Sequence, residues 1–422
     1  MTALASSTGP LLAGAARVSL DAPFATPMAG YVGASWFRLR ELRDPLYARA
    51  LVLEQGPVRV ALVALDRVLV PPALRPLVEA RSELQQLGLS GWIVAATHTH
   101  TAAGGHLEAW PAELLGMGSY DSLLLEHLVD RTAQALAQAR AALAPVELAF
   151  GRARLAPSAA EAVSFNRRDP EAPVDPWLDV LRLTRAPGGA STKEALTVAR
   201  IVRFAAHPTL IPFYLRRESG DFPGVLCRTL EAGGGGTTLF ACGPCADLAA
   251  GAREDSAARG WERRVERIGR RLADETRSLE ASLTAGNPAA ALAIASARIR
   301  LPPRQPWRVP LVGREIALHY PEEALVQALR VGDVLLLSFP GEMSSELGES
   351  IRKEVLHRTK AREVLLWTLA DHYIGYAFTK ESLEKGGKSQ HLSAYGPELG
   401  PLLVERMTEL AARCWEAPGQ GP

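Results

Sequence analysis

The segment ATHTHTAAGGH, residues 96–106, places three of the chain's nine histidines within nine positions. His98 and His100 stand two apart. On an extended strand alternate residues share a face, so both side chains can enter one site. Imidazole is the commonest metal-binding side chain, and its second ring nitrogen needs an orienting partner. The bland alternative is a hydrogen-bonded pair near a strand end. A longer HxHxDH zinc signature is excluded, because Ala102 and Ala103 occupy its last two places.

Two further groups suit the same chemistry. His207, in RIVRFAAHPTL, ends an apolar run and precedes Pro208, which stops regular pairing and opens a turn. Glu342, in LLLSFPGEMSSELGES, follows an apolar run and a Pro-Gly turn at the expected mouth of a helix. Its structural alternative is a first-turn acid that favours the helix dipole. Cys242-Gly-Pro-Cys245 copies a thioredoxin-type redox spacing. That reading needs a small βαβ domain around it, so two buried thiols in a loop are the expectation.

These residues need elements to carry them. Apolar runs starting at Ala50, Arg59, Gly91, Val198 and Asp333 read as buried strands. Helical patterns run from Asp121, ending before Pro145, and from Gly260, with Val265, Ile268 and Leu272 at helical spacing. The expected fold is α/β, with mixed β-sheets flanked by helices. Gly-rich joints near 185, 231 and 284 are too short for interdomain linkers, so residues 1–422 read as one unit.

Composition narrows the function classes. Lys plus Arg number 47 against 46 Asp plus Glu, so no charge argument favours nucleic acid or an anionic membrane. No apolar run reaches the roughly 18–20 residues needed to cross a bilayer. Four cysteines do not make a disulfide scaffold. The N-terminal stretch lacks a basic region followed by an apolar core, so a cytoplasmic protein is expected.

Taken together, the segments resemble the neutral ceramidase family, zinc-dependent hydrolases that cleave the amide bond of N-acylsphingosines. LLAGAARVSLDAPFATPMAGYVG is similar to that family's opening segment, and PLYARALVLEQGPVRVALVALD to its next two strands. ATHTHTAAGG is similar to its histidine motif, and SFNRRDP matches its Asn-Arg-Ser stretch at Asn166 and Arg167. AAHPT, SGDFPG, FPGE, DHYIGYAFTKE and AYGPELGP follow in order. The resemblance implies one Zn2+ per chain held by His98, His207, Glu342 and Tyr376, with His100 close to the substrate. Such a site keeps one position open for water and lowers its pKa toward about 7. Tyr373, three residues before Tyr376, serves as the control, a phenol of the same chemistry at the wrong position.

Three departures from the family pattern stand out, the first two at positions near the substrate. The family's Asn-Ala-Gly-Asp-Val-Ser-Pro loop corresponds to PCADLAA when aligned on Asp247, which puts Ala249 at the serine and excludes a serine nucleophile. Lys388 replaces a tyrosine expected to contact the reacting carbonyl, and an ammonium there could stabilise an oxyanion in another geometry. The chain stops soon after AYGPELGP, so the family's C-terminal immunoglobulin-like domain is expected to be absent. The expectation is a zinc-dependent amidohydrolase acting on a linear, small-molecule N-acyl amide or lipid-like substrate by metal-activated water. In it, Arg167 and Lys388 contact the acyl oxygen or a head group, and His100, then Asp247, are the candidate bases. The alternative is a catalytically silent relative that binds a lipid or acyl amide.

Overall fold

The computed structural model describes residues 3–22, 25–31, 33, 37–39, 41–155, 163–169, 171–172, 174–186, 196–252, 260–283, 290–385 and 393–417. Thirteen longer strands build two sheets. In chain order they are β1 (Ala3–Ser7), β2 (Leu12–Ser19), β3 (Tyr47–Gln55), β4 (Val58–Leu65), β5 (Gly91–Ala96), β6 (Ala144–Arg154), β7 (Trp177–Arg185), β8 (Thr197–Phe204), β9 (Thr237–Cys242), β10 (Leu292–Arg300), β11 (Glu323–Val331), β12 (Val334–Ser338) and β13 (Glu363–Trp367). Eight form one sheet in the order β9-β8-β7-β6-β2-β3-β4-β5, and five form the other in the order β1-β10-β11-β12-β13.

The burial of these strands explains their apolar character. In β3, Ala48, Ala50 and Val52 join one core with the helix α1 (Ser122–Ala141), while Leu51 and Leu53 join a second core. That second core also holds Leu292, Leu336 and Trp367 of the smaller sheet, so the two sheets pack face to face. The outer face of the smaller sheet, through Leu335, Leu337 and Leu366, packs on α4 (Ser345–Arg358) and α5 (Leu399–Glu416). The outer face of the larger sheet also carries α2 (Asp221–Glu231) and α3 (Trp261–Ala281). The result is four layers, helix, sheet, sheet and helix. A strand covered on both faces has no solvent side to alternate toward, so it reads as a continuous apolar run.

Most neighbouring strands are antiparallel, but three pairs are parallel: β4 with β5, β8 with β9, and β12 with β13. A parallel pair needs a crossover. Two short helices, Leu74–Glu79 and Ser82–Gln85, supply the first, α2 the second and α4 the third. Ligand sites in such sheets lie beyond the carboxyl ends of parallel strands. His98 follows β5, His207 follows β8, Asp247 follows β9, Glu342 follows β12, and Tyr373 and Tyr376 follow β13.

The helix expected from Asp121 starts at Ser122, with the Asp121 carboxylate accepting from Leu123 N. The one expected from Gly260 starts at Trp261, Gly260 taking a left-handed conformation. Of the three joints, the glycines near 231 connect α2 to β9, while residues 187–195 and 284–289 lie outside the described residues. No helix among the described residues is long and apolar enough to cross a membrane.

Candidate functional site

The loop after β5 carries the histidine pair, and strand alternation is not what brings it together. Regular pairing stops at Ala96, and His98 itself is left-handed, with φ 70°. Histidine tolerates that region better than most residues, at a cost of order 1–3 kcal/mol. The bend is held by His98 N donating to Arg67 O, Thr97 N to Leu65 O and His100 N to Pro208 O. His98 and His100 therefore converge through a locked turn, with ring centroids 4.6 Å apart.

Each of the three site histidines spends its Nδ1 on backbone. His98 Nδ1 donates to Val68 O at 2.7 Å and His100 Nδ1 to Gly30 O at 2.6 Å. His207 Nδ1 donates to Cys245 O at 2.7 Å and faces Leu248 O at 3.0 Å. This fixes the tautomer in all three rings and turns the Nε2 lone pairs inward. The ligand atoms of the three lie within 4.8 Å of one another, and His98 and His100 Nε2 are 3.3 Å apart.

Glu342 reaches this cluster from the other sheet. Its Oε2 is 2.9 Å from His207 Nε2 and 3.6 Å from His98 Nε2. Zinc bonds of about 2.0–2.1 Å in a tetrahedron imply ligand separations of about 3.3–3.4 Å. The nitrogen and oxygen donors are thus spaced, and chemically suited, for a small divalent cation. One feature competes: Arg167 Nη2 lies 2.7 Å from His207 Nε2 and donates into the same lone pair.

Glu342 and Tyr376 sit side by side, paired in parallel register, with Glu342 N donating to Gly375 O. Tyr376 lies within electrostatic reach of the Glu342 carboxylate, and its ring stacks on Phe378. Tyr373 is in the site as well: its hydroxyl donates to Glu342 Oε1 at 2.7 Å. The sequence reading set Tyr373 aside as wrongly placed. The Asp371–Gly375 turn, with left-handed Asp371 and Gly375, brings both phenols to one carboxylate.

Arg167 is placed by a short strand, Ser164–Asn166, paired with Leu248–Ala250, and its N donates to Asp247 O. Asp247 turns its carboxylate to Ser345 N at 2.8 Å, Ser345 Oγ at 2.6 Å and Asn166 Nδ2 at 3.0 Å, tying three loops together. Ala249 bridges His207 in parallel register. Lys388 lies outside the described residues. His106 does not join the cluster; it lines a small cavity with Arg67, Val68 and Met117.

His98, His207 and Glu342 are buried, while His100, Arg167, Arg168, Tyr373 and Tyr376 are half-buried and form the accessible side. Burial alone would raise Glu342, but His98 above all, with His207 also against its Oε2, holds it well below the usual carboxylate range. Burial lowers His98, and the Glu342 charge outweighs it, raising the imidazole. Burial and the adjacent Arg167 charge push His207 down to about 3. Burial, then His98 and His207, lower His100 well below its ordinary value, so it is neutral near pH 7. Burial raises both Tyr373 and Tyr376, and Glu342 raises them further.

Cys242 and Cys245 are buried free thiols with their sulfurs 3.4 Å apart. Their backbone matters more to the site: Cys245 O anchors His207, and Cys242 O accepts from Thr368 N.

No protein-family profile and no curated protein matches the chain. Among solved structures it is similar to the neutral ceramidase of Pseudomonas aeruginosa, with a TM-score of 0.78 and 19% identity over 97% of this chain and 75% of that one. A structure described as ceramidase complexed with C2 gives a TM-score of 0.79 and 19% identity over 97% and 76% of the two chains. At this identity the likeness is one of fold, and the fold is neutral-ceramidase-like.

Proposed function

We propose that this chain is a zinc-dependent hydrolase of a linear N-acyl amide. The observation that carries the reading is the convergence of His98, His100 and His207 Nε2 with a Glu342 oxygen, every Nδ1 being committed to a backbone carbonyl. Three inward-facing imidazole Nε2 atoms and a carboxylate make a donor set that suits a divalent cation. The ceramidase-like fold supports the same reading.

In this reading His98, His207, Glu342 and Tyr376 hold one Zn2+. When bound, the ion supplies a Lewis acid for the scissile carbonyl and acidifies a water to serve as nucleophile. The residues do the rest. His100, neutral and half-buried, takes the proton from the attacking water and returns it to the leaving nitrogen. Tyr373 keeps Glu342 Oε1 occupied so that Oε2 faces the histidines. Asp247 positions Arg167 and the start of α4. With Ala249 beside His207, there is no hydroxyl for a serine-nucleophile route.

A second assignment of the fourth ligand follows from the 3.3 Å between His98 and His100 Nε2: His100 in place of Tyr376. The deciding experiment is metal content by elemental analysis for wild type, His207→Ala, His100→Ala and Tyr376→Phe. About one zinc per chain, lost in His207→Ala, is expected, and whichever of the other two variants loses it names the fourth ligand. Wild type that binds no metal after zinc is supplied would overturn the reading. The fold would then be that of a binding protein for a lipid or acyl amide.

A further inference from the structure

Arg167 and Arg168 are adjacent on one short segment at the accessible side of the cluster. Arg167 Nη2 lies 2.7 Å from His207 Nε2, and Arg168 lies within electrostatic reach of Tyr376, Glu342 and Asp247. Neither forms an ion pair with a carboxylate of a described residue, and the Nε of each is buried without a hydrogen-bond partner. The two nearest acids are committed elsewhere. Glu342 serves His207, His98 and Tyr373. Asp247 serves Ser345 and Asn166.

Two like charges side by side, with no counter-ion from the protein, repel each other and are stabilised by any anion that reaches both. Arg167 Nη2 also donates to His207 Nε2, and a cation that takes that lone pair frees the N–H for another acceptor. An added divalent cation makes the site more positive still. The anion must sit close to the reacting bond, because Arg167 is 2.7 Å from a donor of the cluster itself.

Resting on the hydrolase reading above, we propose that the substrate is an N-acyl amino acid whose carboxylate seats on Arg167 and Arg168. In such a molecule the carboxylate is two bonds from the scissile nitrogen, which fits a cation pair at the edge of the cluster. Water adds its oxygen to the acyl carbon and the C–N bond breaks. The nitrogen leaves with a proton, giving a fatty carboxylate and a free amino acid.

The test compares two lauroyl amides, N-lauroylglycine and the uncharged N-lauroylethanolamine, with the monododecylamide of succinic acid, an amide with the alkyl chain on nitrogen and the carboxylate on the acyl side. N-lauroylglycine is expected to show a kcat/KM at least about 10-fold above the uncharged amide, as charge-assisted hydrogen bonds to a carboxylate allow. Arg168→Ser should collapse that ratio by about 10-fold through KM, and Arg168→Lys should restore part of it. A ratio at or below one, a preference for the succinic amide, or an unchanged ratio in Arg168→Ser would overturn the inference while the hydrolase reading stands. Calorimetric binding of the same compounds to zinc-loaded protein separates the two claims if nothing turns over. Tighter N-lauroylglycine binding, weakened in Arg168→Ser, would uphold the carboxylate site and sink the hydrolase reading. Equal binding of charged and uncharged amides would overturn the carboxylate site as well.

Discussion

Replacing Tyr373 by phenylalanine isolates one hydroxyl that aims a carboxylate. That hydroxyl donates to Glu342 Oε1 at 2.7 Å, leaving Oε2 to face His207 at 2.9 Å and His98 at 3.6 Å. Phenylalanine keeps the ring and deletes the donor. A hydrogen bond to a charged group contributes about 1.5–3 kcal/mol. His207 and His98 still hold the same carboxylate, which places the loss near the lower end, ~1.5 kcal/mol. At about 1.4 kcal/mol per decade, zinc affinity should fall about 10-fold. Outer partners of metal-binding side chains typically account for about 10–100-fold. The assay is titration of metal-free protein with zinc against a chromophoric chelator at fixed pH, with a melting curve to show that the variant is folded. Tyr320→Phe is the control, since its ring sits 6.0 Å from that of Tyr373 and it makes no hydrogen bond to Glu342 among those described. A folded Tyr373→Phe protein whose zinc affinity stays within about twofold of wild type would refute the argument that this phenol orients Glu342.

Two further outcomes follow from groups around the site. Gly30 has φ 116°, and a Cβ there would meet Cα and Cβ of His100 at 2.8 Å. Gly30→Ala should lose about 2 kcal/mol or more in urea unfolding. Gly33→Ala, also at positive φ but with nothing within 4 Å, should lose less, and equal losses would show that the His100 contact is unimportant. The second outcome concerns Asp179, which burial raises from 3.8 to about 6 despite Arg203 and Arg152. Its folded form holds the proton more tightly than the unfolded chain does. The stability it contributes is therefore full below pH ~4 and is lost as pH rises through about 6. At about 1.4 kcal/mol per pH unit that loss reaches ~3 kcal/mol, and Asp179→Asn should flatten the stability profile between pH 4 and 6. An unchanged profile would show that Asp179 titrates normally.

Much of the scaffold was legible because its strands are covered on both faces. GWIVAA, residues 91–96, is a strand with the expected limits, and the helices from Asp121 and Gly260 begin where their first residues suggested. A doubly covered strand carries no periodicity that says which sheet it joins, so the division into eight and five strands was not legible. The candidate residues were individually visible at strand ends, but the reason for their meeting was not. His98 and His100 converge through a left-handed residue and their backbone N–H hydrogen bonds to the carbonyls of Arg67 and Pro208, none of which spacing reveals. Tyr373 was missed for a related cause. Its signal was Gly375 between two tyrosines, a glycine whose positive φ turns the chain so that residues three apart come to one carboxylate. Cys242 and Cys245 showed the reverse problem: a motif with a chemical reputation whose carbonyls, rather than its sulfurs, bear on the site.

The seam between the sheets has a consequence for assembly. Every histidine donor and Arg167 come from loops of the larger sheet, while Glu342, Tyr373 and Tyr376 come from the smaller one. Backbone joins the two sides at the site, through Ala96 N to Leu369 O, Asp371 N to Val94 O and Thr368 N to Cys242 O, and side chains add to it, with Asp247 on Ser345 and Arg75 on Asp371. Neither sheet alone carries a full donor set, so a half-assembled chain offers a cation two incomplete grips. An ion that binds tightly here acts as a rivet, adding stability only once both sheets have docked in register. Occupancy would then proofread the finished fold as well as serve the chemistry.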